Sequence, residues 1–290
     1  MNIKQILEYG IIILKESNIE EPILKARMLL ANILKQSKEY LLIHETEELN
    51  LNDTNKYKEG IKKLAVNIPI QYIINKNEFM GLEFYVDENV LIPQPDTEIL
   101  VEEVIKICKE INSHNENKKI RILDLCTGSG AIGISLKKYI QNSEITLSDI
   151  SNKALEIAKK NCINIIGNTE INIIESDLFE KIDVNNKFDI IVSNPPYIET
   201  KTIQTLDKEV QKEPKLALDG GEDGLNLYRR IIKEAHNYLS DNGILVLEIG
   251  YNQKDKVINL IRTSNMYREV YSKKDLSNND RIVACKKRSN

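Results

Sequence analysis

Ile120-Arg121-Ile122-Leu123-Asp124-Leu125-Cys126-Thr127-Gly128-Ser129-Gly130-Ala131-Ile132-Gly133 is the stretch on which the fold turns. A short apolar run gives way to three of the chain's 12 glycines, and residues with helical periodicity follow. Strand, tight turn and helix is the order this implies. Working outward, strands are expected over 120–125, 144–149, 171–176, 188–193 and 243–249, with helices over 131–140, 152–161, 224–239 and 253–261. Alternation at that spacing requires right-handed βαβ crossovers, so the fold class is α/β with a doubly wound, mostly parallel sheet. Two strand-like runs, 268–273 and 281–286, flank the polar residues 274–280 and make an antiparallel hairpin at one edge of the sheet.

Upstream the pattern differs. Ile3, Ile6 and Leu7, then Ile23, Ala26, Leu30 and Leu34, recur at helical spacing, which makes residues 1–68 a small helical domain. Gln71-Tyr72-Ile73-Ile74, the turn-like Asn75-Lys76-Asn77 and the run from Phe79 to Val86 broken at Gly81 suggest two short strands. Residues 69–95 are therefore expected to be a β-hairpin linker, and 96–290 the main domain. Pro93 and Pro95 bracket Gln94, after which Asp96 and Thr97 offer N-cap oxygens to a helix through Ile99, Leu100, Val104, Ile107 and Ile111, ended by the polar run 112–119.

Composition narrows the function. Lys+Arg 40 against Asp+Glu 44 gives a net charge of −4 in 290 residues. No global positive field exists to hold a phosphate backbone, so a nucleic acid is not expected as a direct partner. Cys108, Cys126, Cys162 and Cys285 contain no CxxC pair, and His44, His114 and His236 stand far apart. Neither a disulfide framework nor a metal site is signalled, and a reducing cytoplasmic location fits. The apolar core at the N-terminus, Ile11 to Leu14, is too short for an export signal, and no segment approaches the ~18 apolar residues of a membrane span. A monomer is expected.

The glycine loop satisfies G-x-G-x-x-G, a pattern shared by dinucleotide and S-adenosylmethionine enzymes and compatible with a plain tight turn. Three acids sharpen the choice. Asp149 ends the second strand, where a carboxylate accepts from both hydroxyls of an adenosine ribose, and Asp177 follows the third, where it could accept from an adenine amino group. Each taken singly could equally be a helix cap or a solvated acid. Asp124, just before the loop, would repel a pyrophosphate but attract the ammonium of a methionine moiety. The balance favours S-adenosylmethionine, with Asp124, Asp149, Asp177 and the loop Cys126-Thr127-Gly128-Ser129-Gly130 as the candidate contacts.

At the end of the fourth strand stands Asn194-Pro195-Pro196-Tyr197. Two prolines end a strand abruptly, which by itself argues only a rigid turn. At the same sheet edge as the glycine loop, that rigidity has a use. A planar amide or aromatic amine nitrogen is a poor nucleophile because its lone pair is delocalised, so an enzyme that methylates it must orient it. The Asn194 side-chain oxygen and the Pro195 carbonyl can accept its two hydrogens, and Tyr197 can form an aromatic wall.

Asp124 through Gly130 together with Asn194-Pro195-Pro196-Tyr197 resembles the class I S-adenosylmethionine-dependent amino methyltransferases, which have a Rossmann-like fold. Among them, Ile92-Pro93-Gln94-Pro95-Asp96-Thr97-Glu98, the segment from Glu213-Pro214 to Leu225, and Glu248-Ile249-Gly250 are similar to the bacterial peptide chain release factor glutamine methyltransferases, the HemK/PrmC family. The resemblance implies methylation of the glutamine amide in the Gly-Gly-Gln motif of class 1 release factors, with the N-terminal helices engaging that protein. It implies cofactor contacts at 126–130, Asp149, Asp177, Leu178 and Asn194, and substrate contacts at 194–197. The family usually has Arg where this chain has Gln94, often an aromatic residue at Leu178, and frequently glycine at Cys126. The alternatives are a ribosomal-protein glutamine methyltransferase, a nucleic-acid amino methyltransferase and a nicotinamide-dependent oxidoreductase. The last has no use for Asn194-Pro195-Pro196-Tyr197.

Overall fold

The computed structural model describes residues 1–114, 118–167 and 171–289. Residues 115–117 of the expected polar run lie outside the described residues. The chain divides into two compact units, residues 1–76 with 207–212, and residues 77–206 with 213–290.

The smaller unit is helical: α1 (Ile3–Glu16), α2 (Pro22–Leu34), α3 (Lys38–Ile43), α4 (Leu51–Ala65) and α5 (Ile70–Ile74). Helix α1 opens on a capping box in which the Asn2 side chain accepts from the Gln5 amide at 2.9 Å while the Gln5 side chain accepts from the Asn2 amide at 3.1 Å. Ile3, Ile6, Leu7 and Leu14 form its buried face, packed with Leu29, Leu30, Tyr57 and Ile61. Residues 207–212 return to this unit, where Glu209 pairs with the buried Lys25. An ammonium removed from water needs such a partner.

Helix α5 corrects the reading of residues 71–74 as a strand. Pro69 sets its start, Ile70 and Tyr72 turn inward, and Asn75 ends it in a left-handed conformation, φ 55°. The expected turn is thus a helix stop. The hairpin itself lies later, between β1 (Asn77–Phe79) and β2 (Leu82–Phe84), joined by Met80 and Gly81 with φ of 52° and 66°. Positive φ at both central residues gives a turn whose twist matches that of the strands. Phe79 and Phe84 enter the core of the larger unit, so the span expected as one linker is split between the two units.

The larger unit continues with α6 (Glu98–His114), β3 (Ile120–Leu125), α7 (Ala131–Tyr139), β4 (Ser143–Asp149), α8 (Asn152–Ile166), β5 (Asn172–Glu175) and β6 (Phe188–Ser193). It ends with α9 (Lys215–Leu218), α10 (Asn226–Glu234), β7 (Leu239–Glu248), α11 (Lys254–Ser264), β8 (Tyr267–Lys274) and β9 (Asp280–Lys287). The sheet order is β5-β4-β3-β6-β7-β9-β8, with the first five strands parallel and β9 antiparallel to both neighbours. The expected doubly wound sheet and its terminal hairpin are present. Side chains alternate across β3: Ile120 and Ile122 join the core beneath α6, α7 and α8, whereas Leu123 and Leu125 join that beneath α10 and α11.

Several boundaries move, with α8 running on to Ile166 and α11 to Ser264, and one expected cap is absent. The helix expected over 224–239 stops at Glu234, because β7 starts at Leu239 and pairs it with Phe188 across an irregular register. Asp96 and Thr97 do not cap α6; Pro95–Thr97 form a 3₁₀ turn without a side-chain cap, and both oxygens are used elsewhere. The chain reverses direction through the sheet at β3, with β4 on one side and β6 on the other. Leu125 aligns with Ser148 and Ser193, leaving a crevice at the carboxyl ends of these three strands.

Candidate active site

The loop leaving β3 is tied to its own strand. Asp124, fully buried, accepts from the Thr127 hydroxyl at 2.6 Å and from the Gly133 amide at 2.9 Å. A Cβ on Gly133 would sit 2.2 Å from Leu147 Cδ2 and 3.0 Å from that carboxylate, so only glycine lets α7 approach. Gly128 adopts φ +55° and a Cβ there would meet nothing, since it borders the crevice. Its amide donates to Asp149 Oδ2 at 2.9 Å, and the Ser151 amide donates to Asp149 Oδ1 at 2.9 Å. Two backbone donors thus aim the half-buried carboxylate, while the cap of α8 falls to the Ser151 hydroxyl. Burial holds the Asp149 carboxyl above its ordinary range, against those hydrogen bonds.

A cavity of about 230 Å³ opens here. Cys126, Gly128 and Asp149 line one side; Ser176, Asp177 and Leu178 line the next; Asn194 and Pro196 complete it, with Asn89, Val90 and Leu91 and with Leu216, Ala217, Leu227 and Arg230. Asp177 contributes one oxygen to Arg230 at 2.9 Å, leaving its second for other partners. Leu178, 4% exposed with φ 51°, presents an aliphatic surface. Burial raises the Cys126 thiol well above its ordinary value, so it stays protonated.

Several expected contact residues lie elsewhere. Asp124 is sealed beneath the loop, and Thr127, Ser129 and Gly130 are buried with it. They shape the loop without lining the cavity, because the turn directs its interior toward Asp124. Pro195 is buried, and Tyr197 packs against the core beneath α10, with its phenol near Arg281 and Glu248; neither lines the cavity. Tyr197 is therefore an anchor of the corner and not a wall of this cavity.

The corner at 194–197 is held from outside. The Gln253 side chain donates to the Tyr197 carbonyl at 2.9 Å and to the Gly224 carbonyl at 3.3 Å. Ile198 bridges to Asp219 in parallel, and a Cβ on Gly220 would lie 2.7 Å from Tyr197 Cα. The loop 219–225 is thus a backbone neighbour of the corner. Arg281, bonded to Asp96 at 2.8 Å and Asp275 at 3.0 Å, closes the far side. Asn194 Nδ2 donates to Thr97 Oγ1 at 3.3 Å. Glu248, 2% exposed at the end of β7, is pushed up to about 7 by burial, while hydrogen bonding from Thr97 and Asn194 and the charge of Arg281 pull the other way.

Sequence reasoning missed three supports. Asn161 on α8 is fully buried; its Oδ1 accepts from the Tyr85 amide at 2.8 Å, and its Nδ2 donates to the carbonyls of Tyr85 at 3.0 Å and Ser129 at 2.9 Å. A polar residue on the inward face of a helix was the available signal. Arg230 and residues 89–91 had none, since the fold alone brings them to the cavity.

Comparison with known proteins agrees with this geometry. Residues 5–74 match the PrmC N-terminal domain and residues 107–222 the Methyltransferase small domain. A release factor glutamine methyltransferase of Clostridium acetobutylicum is 39% identical over 98% of this chain and 98% of its own. One of Fusobacterium nucleatum is 40% identical over 94% of this chain and 76% of its own. The solved hMettl16 catalytic domain, 15% identical, covers 82% of this chain and 86% of that chain at a TM-score of 0.56, which is a likeness of fold alone. With a full-length match at that identity, and the glycine loop and the proline-stiffened corner meeting at one crevice, the chain belongs to the release factor glutamine methyltransferase family.

Proposed function

We propose that this protein methylates the side-chain amide nitrogen of the glutamine in the Gly-Gly-Gln motif of class 1 peptide chain release factors, with S-adenosylmethionine as the donor. The observation that carries the proposal is the meeting of Asp149 and Asn194 in one cavity at the carboxyl ends of β3, β4 and β6. The lining suits a cationic nucleoside. Asp149, aimed by the Gly128 and Ser151 amides, keeps lone pairs for the ribose hydroxyls, and Leu178 and Leu227 offer apolar contact to a base. A pyrophosphate would instead face the Asp149 carboxylate beside the Asp177–Arg230 pair, a lining of net negative charge, which disfavours a nicotinamide cofactor.

When bound, S-adenosylmethionine supplies an electrophilic methyl carbon on a sulfonium, so the protein's task is orientation. Asn194, which lines the cavity, would accept an amide hydrogen of the glutamine through Oδ1, and Pro195, buried outside the lining, would stiffen the corner that holds it. That hydrogen bond draws the nitrogen away from conjugation and aims its lone pair. The prolines prevent the corner from relaxing. The helical N-terminal unit would engage the release factor.

Mass spectrometry of a purified class 1 release factor, incubated with the protein and isotope-labelled S-adenosylmethionine, tests this. One labelled methyl group on the Gly-Gly-Gln glutamine is expected. A label confined to a ribosomal protein or to RNA would replace the proposal with one of those substrates.

A further inference from the structure

The cavity has walls of two kinds. Cys126, Gly128, Asp149 and Asn194 stand at the carboxyl ends of β3, β4 and β6, where the ladder of the sheet fixes the chain. Another wall lies off the sheet: Asn89, Val90 and Leu91 come from the stretch between β2 and α6, and Pro214, Leu216 and Ala217 from the start of α9. An irregular stretch and a helix of four residues have little stability of their own, so side-chain bonds must set their spacing. Glu213, 7% exposed, supplies one: its Oε2 accepts from the Ile92 amide at 2.8 Å, across 121 positions of sequence. The chain re-enters the larger unit at Glu213, after residues 207–212 of the smaller one, so the bond stands where the second stretch begins. Each partner precedes a proline, Pro93 or Pro214, which biases its backbone to extended conformations. The first stretch is braced further by Asp87, which accepts from the Asn89 amide at 2.9 Å, and Val90 and Ile92 are buried. Leu216 is 58% exposed while lining the cavity, so this wall borders solvent.

Resting on S-adenosylmethionine as the donor proposed above, we infer that Glu213 is a positioning residue whose bond to the Ile92 amide clasps the two stretches into one wall and holds the cofactor in the cavity until the release factor arrives. A carboxylate accepting from a backbone amide away from bulk water makes a strong hydrogen bond, and parting the stretches leaves both groups to be satisfied anew. The bond touches neither Asp149 nor Asn194, so it acts on the lifetime of the cofactor complex and not on the aim of the reacting nitrogen. An opened wall admits a ligand as freely as it releases one. Loss of the clasp therefore falls mainly on the off-rate.

The test compares wild type, Glu213→Ala and Glu213→Gln in the full chain. Isotope-labelled S-adenosylmethionine is bound, then chased with unlabelled S-adenosylhomocysteine, with thermal melting as the control. Glu213→Ala should raise the off-rate by about 5- to 50-fold while the on-rate stays within about threefold. Glu213→Gln, which keeps an oxygen acceptor at the same reach, should recover most of the lifetime. A lowered melting temperature with an unaltered off-rate, or a faster off-rate that glutamine does not rescue, would overturn the inference. A second arm needs no variant. Hydrogen exchange of the Ile92 amide in wild type should slow by about fivefold or more when S-adenosylmethionine is added, because the bound cofactor disfavours the opening in which that bond breaks. No slowing would overturn the inference, whether or not Glu213→Ala folds. Wild type that retains no label would strike the proposed donor and the inference with it; wild type that binds the label, with an off-rate indifferent to Glu213→Ala, would strike the inference alone.

Discussion

Two loops meet at the same edge of the sheet and are built on opposite plans. The glycine loop is braced by its own neighbourhood: the Thr127 hydroxyl and the Gly133 amide both donate to Asp124, and Asp149 arrives with the next strand. The corner at Asn194 borrows nearly every support from afar, with Thr97 preceding α6, Glu248 ending β7, Gln253 opening α11, and the backbone of Gly220 and Gly224. The first draws its supports from β3, α7, β4 and α8, which follow one another in the chain. The second draws on elements spread over most of the larger unit, from Thr97 to Gln253. Binding of a small ligand is thus assigned to local structure, and orientation of the reacting nitrogen to global structure.

The difference can be broken most sharply at Asn194. Asn194→Ala removes an acceptor whose value lies in the transition state, and kcat should fall by about 10²- to 10³-fold, the scale for losing one preorganised hydrogen-bonding group. The cofactor Kd, read by calorimetry, should barely move. A parallel loss of cofactor affinity would mean that the two loops are not separable. Next in size is Asn161→Ala, which abandons the Tyr85 amide and the carbonyls of Tyr85 and Ser129. A cost of about 2–4 kcal/mol is expected in denaturant unfolding of the protein, because buried backbone groups would be left unpaired. A cost near zero would show that water replaces the amide.

The same contrast explains what could be read from the chain. The glycine loop and the strand 120–125 are local features, and spacing alone placed them. Residues 71–74 misled because a short apolar run rich in isoleucine has no length over which two periods separate; the flanking Pro69 and Asn75 decided for helix. Thr97 looked like a cap because threonine before a helix usually is one, and only the fold reveals that its hydroxyl oxygen accepts from Asn194. Tyr197 is expected as a wall because aromatic residues stack on planar ligands, and the structure packs it against the core beneath α10, outside the lining of the cavity. Side-chain direction at a corner is set by packing partners that no short motif contains.

The two carboxylates that accept from the glycine loop should separate cleanly. Asp149→Ala should weaken S-adenosylmethionine binding by about 1–3 kcal/mol, measured by calorimetry, since a charge-assisted acceptor is lost. Asp124 should act on stability instead. Burial pushes its carboxyl up to about 7, above the ordinary value of 3.8, with the Thr127 and Gly133 hydrogen bonds opposing. A carboxyl raised in the folded state binds its proton more tightly there than in the unfolded chain. Its contribution is therefore complete below about pH 4 and is lost as pH rises toward 7. Over that window this one group should cost up to about 1.4 kcal/mol per pH unit. Asp124→Asn keeps an acceptor for the Gly133 amide but cannot ionise, so its unfolding free energy should fall less steeply from pH 5 to about 7 than that of wild type. Equal slopes in denaturant titrations at those pH values would mean that Asp124 is ionised throughout, with a cation or water reaching the oxygen that now stands buried and unpaired.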